Sequence, residues 1–101
     1  KEMLKVNGMS VFPGELEAIL GQYPGLLGSG VIGRPDEARG EVPVAFVWLP
    51  EDQRGADGER AFRAWVETMM SSYKRPEIRF VDSLPMTETG KVKKEQLKAL
   101  L

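Results

Sequence analysis

The stretch from Val42 to Leu49 restricts the fold more than any other: it is nearly all apolar and carries both Phe46 and Trp48. Strict alternation of apolar and polar residues would mark a strand with one wet face. Continuous apolarity over so short a run marks a central strand buried on both faces. Pro43 is tolerated near its start. Such a strand needs other strands beside it and helices against it, and the rest of the sequence offers both.

Met3 to Val6 and Met9 to Phe12 are short apolar pieces around Asn7-Gly8. Both central residues tolerate positive φ, so the spacing predicts a hairpin with its tip near Gly8. Pro13 suits the first position of a helix, and Glu15 and Glu17 suit its positive first turn. Leu16, Ile19, Leu20 and Tyr23 fall on one helical face, and Pro24-Gly25 ends the helix. Leu26 to Ile32 reads as a strand thinned by Gly28 and Gly30, and residues 33–40 read as a loop. Pro50 to Gly58 reads as a polar loop. A second helix is expected from Glu59 to Met70, with Phe62, Trp65, Val66 and Met69 inward and Asp57 as its cap. Trp48, Trp65 and Met69-Met70 are expected in the core. Residues 71–76 break that helix, Ile78 to Val81 is a short strand, and a helix from Val92 onward would bury Leu97, Leu100 and Leu101. The fold expected is α+β: a small N-terminal β-hairpin, then a small mixed three-stranded sheet packed by about three helices. The strand order stays open.

Composition then excludes much chemistry. The 101 residues include no Cys and no His. That removes thiolate nucleophiles, disulfides, imidazole bases, Ser-His-Asp hydrolysis and most zinc sites. A net charge of -1 gives no footprint for nucleic acid. No apolar run is long enough to span a bilayer, no signal-peptide pattern opens the chain, and a cytoplasmic location is expected. Any catalysis must rest on Lys, Arg, Glu, Asp, Tyr or backbone groups. A lysine acting as a fixed positive charge fits that inventory best.

Leu84-Pro85-Met86-Thr87-Glu88-Thr89-Gly90-Lys91-Val92 puts such a lysine in a turn-rich stretch between a strand and the last helix. Taken alone, Lys91 could be one solvated charge in a tail that also carries Lys93, Lys94 and Lys98. It is not the lysine of a P-loop, which needs glycine where Pro85 stands and Ser or Thr where Val92 stands. A swinging-arm lysine would sit in a tight hairpin between two strands, whereas a helix is expected here.

Pro85-x-Thr87-x-x-Gly90-Lys91 followed by a basic helix start resembles the last signature of the C-terminal domain of AMP-forming adenylating enzymes. Lys1 to Glu17, containing Lys5-Val6-Asn7-Gly8 and Val11-Phe12-Pro13, resembles the hinge-and-loop signature at the start of that domain. The superfamily comprises acyl-CoA synthetases, peptide-synthetase adenylation domains and luciferases. Val11-Phe12-Pro13 is closer to the fatty acyl-CoA ligases.

The resemblance implies a set of roles. Lys91 would be the catalytic lysine of adenylation, with Pro85, Thr87 and Gly90 shaping its turn and Gly90 allowing close backbone approach. Lys1 would be the hinge, at the point where the chain has been cut from a large N-terminal domain. Lys5, Val6, Asn7 and Gly8 would face the thiol, with Gly8 leaving its path clear. ATP, Mg2+, a carboxylic acid (a fatty acid first) and CoA would be the ligands of the intact enzyme, held mostly by the absent domain. No metal site and no bound cofactor are expected on this piece, which should be inactive alone. Arg34, Arg39, Lys74 and Arg75 could meet a CoA phosphate, and Tyr73-Lys74-Arg75-Pro76 resembles a further segment of the family. Two other readings stay open: an adenylation domain serving a carrier-protein thiol, and a non-catalytic α+β interaction domain.

Overall fold

Asn7 and Gly8 both take positive φ, 53° and 79°. They turn the chain between β1 (Leu4–Val6) and β2 (Met9–Val11), paired antiparallel with Leu4 opposite Val11. The expected hairpin is therefore present. A computed structural model describes residues 2–101, so the hinge assigned to Lys1 lies outside the described residues. Pro13 opens α1 (Pro13–Leu20), which buries Leu16 and Leu20.

β3 (Gly28–Asp36) and β4 (Gly40–Trp48) pair antiparallel along their whole length, from Gly28 opposite Trp48 to Asp36 opposite Gly40. The loop expected over residues 33–40 is thus mostly strand, with only Glu37 to Arg39 left to turn. Gly33, Pro35 and Asp36 carry loop chemistry, but β3 is an outer strand. Proline is admissible on such an edge. β5 (Glu77–Phe80) lies parallel to β4 on the side away from β3. β1 meets β4 on that same side, Val6 opposite Gly40. The hairpin is therefore not separate from a three-stranded sheet, and all five strands form one mixed sheet.

β4 is covered on both faces. Ala45 and Val47 join Leu4, Val11, Leu16, Leu20, Val31, Phe62, Val66 and Ile78 in the larger core. Val44 and Phe46 point the other way, into a smaller core with Ile32, Leu84 and Leu97. This alternation is the period-two geometry of a strand. α2 (Ala56–Met69) supplies Phe62 and Val66 to the first face. There the Phe62 ring packs edge-on against Tyr23 and Phe80. Both tryptophans are part-buried against the cores, as expected, while Met70 is buried and Met69 is exposed.

α2 begins earlier than the sequence implied. Gly55 occupies its N-cap, and Asp57 lies inside the first turn, bonding Arg60 rather than capping. A 3-10 turn (Glu51–Gln53) fills part of the supposed loop. The last helix is shorter than expected. α3 runs from Lys94 to Lys98 and buries only Leu97, while Leu100 and Leu101 are exposed. It cannot start at Val92, because Val92 bridges Met86 and the Lys93 N–H is taken by the Pro85 carbonyl. Among the described residues no helix is long and apolar enough to cross a membrane.

Candidate functional site

Pro85 to Lys93 forms a small hairpin of its own. The Thr87 carbonyl accepts the Gly90 N–H at 3.0 Å, the Thr87 N–H donates to the Lys91 carbonyl at 2.7 Å, and the Lys93 N–H donates to the Pro85 carbonyl at 2.8 Å. A three-residue loop of this kind needs a left-handed residue at its last position. Gly90 provides it, with φ 88°. A Cβ added at Gly90 would meet nothing within 4 Å. Within this domain the glycine is required by the sign of φ, since no neighbouring atom crowds it. The Thr87 hydroxyl oxygen accepts the Lys91 N–H at 3.1 Å and lies 2.9 Å from the Thr89 hydroxyl. Pro85, Thr87 and Gly90 therefore all fix the backbone of the turn.

The hairpin is held on the sheet by Leu84 and Val92. It lies so close to β3 that a Cβ at Gly30 would stand 2.7 Å from Leu97 Cδ1 and 3.0 Å from Val92 Cγ1. The glycine that thins β3 is what admits this contact. Lys91 itself is exposed and, among the described residues, enters no ion pair. The result is a fixed backbone carrying an unengaged ammonium.

The Gly8 turn is braced from a different quarter. The Asn7 N–H donates to the Arg39 carbonyl at 2.8 Å, and the Lys5 N–H donates to Glu41 Oε1 at 2.8 Å. The brace is itself stiff. Asp36 accepts the N–H groups of Ala38 and Arg39 and the Arg39 guanidinium. The Arg39 backbone bond does most to hold the Asp36 carboxyl below its usual range. Gly8 is exposed, with nothing within 4 Å of an added Cβ. Lys5 is also exposed, its ammonium 3.2 Å from the Ser10 hydroxyl, whereas the Val6 side chain is buried in the core. Of the residues expected to face a thiol, Val6 thus contributes backbone only.

The two turns are not brought together. The Gly8 turn sits at Gly40, whereas the Lys91 hairpin packs over Gly30, whose partner is Phe46. Six residues along a strand span roughly 20 Å. The domain carries two separate candidate surfaces, one at each end of β4.

Lys94 is the residue that sequence reasoning missed. It reads as one of several solvated lysines, yet its ammonium lies 2.8 Å from Glu17 and 2.8 Å from Glu2. The other partner of Glu17 Oε2 is the Val31 N–H, at 2.9 Å. That N–H points away from β4, so Glu17 caps the open edge of the sheet and Lys94 seals it from the opposite face. Burial pushes the Lys94 pKa down, but the bonds and charges of Glu17 and Glu2 outweigh it and leave the value raised.

A raised lysine pKa stabilises the fold fully below the unfolded value of about 10.4 and less as pH rises through the folded value. Lys94→Met should therefore lower the unfolding midpoint at neutral pH. The gap from the unsubstituted domain should close only in the alkaline range above that point, which thermal melts across pH would show.

Three of the four cations considered for a phosphate are engaged within the domain. Arg34 pairs with Glu77 at 3.0 Å, Arg39 with Asp36 at 3.3 Å, and Arg75 donates to the Met70 carbonyl at 3.2 Å. The Lys74 ammonium lies 5.8 Å from the centre of the Tyr73 ring. Burial pushes the Glu77 carboxyl up, but the bonds from Arg34 and Arg79 hold it below its ordinary value. No group of three or more Asp or Glu among the described residues is placed to hold a metal ion.

The AMP-binding enzyme C-terminal domain family matches residues 15–91. The acetyl-coenzyme A synthetase of Nitrosomonas europaea is 39% identical over 98% of this chain, which corresponds to 16% of that protein. The 4-coumarate–CoA ligase-like 9 protein of Oryza sativa is 41% identical over 97% of the chain and 18% of its own length. The solved structure of a Mycobacterium tuberculosis fatty acyl CoA synthetase matches with a TM-score of 0.80 and 30% identity, covering 97% of this chain and 19% of that one. The chain thus spans less than a fifth of each of these relatives.

Proposed function

Since the chain belongs to the AMP-binding enzyme C-terminal domain family, we propose that it is the mobile lid of a larger acid–thiol ligase. That enzyme activates a carboxylic acid with ATP to an acyl-adenylate and passes the acyl group to CoA. The observation that carries the reading is Lys91, exposed and unpaired among the described residues, on a hairpin whose backbone is fixed on either side of it. Adenylation presses a carboxylate against the α-phosphate, and two anions resist. A compact ammonium held between them offsets that repulsion and follows the charge that moves to the departing pyrophosphate. Because its hairpin is preformed, little ordering is needed at the moment of reaction.

On this reading a large N-terminal domain of the same chain holds most of the ATP, its magnesium and the acid. After adenylation the lid turns about Lys1, withdrawing the Lys91 hairpin and bringing the Gly8 turn to the acyl-adenylate, where the thiol arrives. Two surfaces at opposite ends of β4 suit two successive half-reactions in a hinge-type switch. Residues 1–101 alone are inactive, for want of the other half of the site. Within the class of carboxylic acids, Val11-Phe12-Pro13 favours a fatty acid.

The intact protein should show acid-dependent exchange of pyrophosphate into ATP and CoA-dependent thioester formation, with a long-chain acid preferred over acetate and coumarate. Failure of the exchange with every acid would end the reading. Gly8 provides the sharper check. Gly8→Ala and Gly8→Leu share the cost of a side chain at positive φ, about 1–2 kcal/mol, but only leucine adds bulk toward a thiol. Leucine should slow thioester formation about tenfold or more beyond alanine while adenylation stays level between the two, a steric loss of the order that a mispositioned reactant produces. Equal rates for the two variants in both half-reactions would remove the role of the Gly8 turn.

A further inference from the structure

The knot at Lys94 joins the two ends of the chain that the proposed switch uses. Lys94 follows the Lys91 hairpin directly, at the start of α3. Its bond to Glu17 ties α3 to α1, and through Val31 to the edge of β3. Its bond to Glu2 reaches 92 positions back along the chain, to the residue next to Lys1.

The two bonds differ in kind. Glu17 is three-quarters buried and also holds a backbone N–H, so it belongs to the rigid body. Glu2 is 58% exposed. Among the described residues, the stretch before β1 makes no other side-chain hydrogen bond, and Met3 is exposed. Glu2 can therefore leave Lys94 without stranding a buried charge, because Glu17 keeps the ammonium paired. Glu15 is the other acidic group on the same groove, whose walls are Glu2, Phe12, Gly14, Glu15, Ala18 and Lys94.

We infer that Lys94 is a positioning residue: its releasable bond to Glu2 sets the direction in which the chain enters the domain, and so biases the lid toward one of its two orientations. This deepens the lid reading and rests on it. Lys94 touches no reactant. It acts through the segment beside the pivot, holding that segment to the same body that carries the Lys91 hairpin. When the bond is made, pivot and hairpin move as one unit. When it is broken, the incoming segment is free to take another direction.

Glu2→Gln and Glu2→Lys in the intact enzyme separate this from a structural role. Two rates are measured for each: acid-dependent pyrophosphate exchange, and thioester formation from supplied acyl-adenylate. Loss of one partly exposed ion pair should shift the ratio of the two rates by about two- to fivefold in the glutamine variant. The lysine variant, which adds repulsion, should shift it further in the same direction. The unfolding midpoint should fall far less in the glutamine variant than in Lys94→Met, since Glu17 still pairs the ammonium, and raised salt should move the unsubstituted enzyme toward the glutamine variant. Lys94→Arg, which keeps a cation beside both carboxylates, should keep the ratio. An unchanged ratio in both Glu2 variants, or equal loss of both half-reactions, would overturn the inference. If the unsubstituted enzyme shows no acid-dependent exchange at all, the lid reading itself has failed, and the two failures are told apart.

Discussion

Lys91→Ala in the intact enzyme should suppress acyl-adenylate formation by roughly a hundred- to a thousandfold, the range seen when one preorganised electrostatic contact to a transition state is removed. Thioester formation from supplied acyl-adenylate should stay near the unsubstituted rate, because on the proposed lid reading the Lys91 hairpin has by then swung away. The loss should fall on the maximal rate of exchange more than on the KM for the acid, since the ammonium matters most where the two anions are closest. Stability should hardly move. Lys91 is exposed and, among the described residues, unpaired, and the bonds that shape its turn come from its backbone and from Thr87, all of which alanine keeps. Lys91→Arg should recover only part of the rate, because a planar fork does not occupy the place of a compact ammonium. Equal loss in both half-reactions, or a large fall in the unfolding midpoint, would mean that Lys91 serves the fold rather than the chemistry.

What could be read from the sequence was what local chemistry dictates. The Asn7-Gly8 turn followed from two residues that accept positive φ, and α1 from Pro13 and a 3.6-residue period. The central place of β4 followed from its unbroken apolarity. What could not be read depends on partners distant in sequence. β3 runs through Gly33, Pro35 and Asp36 because β4 offers it a matching register, and no local signal carries that. The Lys91 hairpin exists because Val92 finds Met86 and a flat place at Gly30 while Leu84 finds one at Gly28, so residues that look like a helix start are spent on a turn. Lys94 looked like its neighbours Lys93 and Lys98. Only folding puts Glu17 and Glu2 beside it and turns a solvated charge into a clamp. The motif thus singled out Lys91, but the work of Pro85, Thr87 and Gly90 in shaping its backbone came from the hydrogen bonds.

The same contrast predicts a substitution whose sign local rules get wrong. Gly58 lies in the first turn of α2, where helix propensity would make alanine better by about 1 kcal/mol. A less flexible unfolded chain would add to that gain. Yet a Cβ at Gly58 would stand 1.7 Å from the Gln53 carbonyl oxygen, 2.5 Å from its carbon and 3.1 Å from its Cα. These are backbone atoms of the 3-10 turn, closed by the Gln53 N–H to the Pro50 carbonyl at 2.9 Å, and they cannot rotate aside as a side-chain tip would. Gly58→Ala must push the turn off the helix or unwind the helix start, and overpacking of that kind costs about 3 kcal/mol. For a domain of this size the unfolding midpoint should fall by more than about 10 °C. Ala64, exposed in the same helix, is the internal control. Ala64→Gly should lose only about 1 kcal/mol, as propensity dictates. Thermal or urea unfolding of both variants would show alanine as the worse residue at one position of α2 and the better residue at another. Were Gly58→Ala as stable as the unsubstituted domain, the 3-10 turn would not be seated on α2, and the tight packing at that corner would have to be given up.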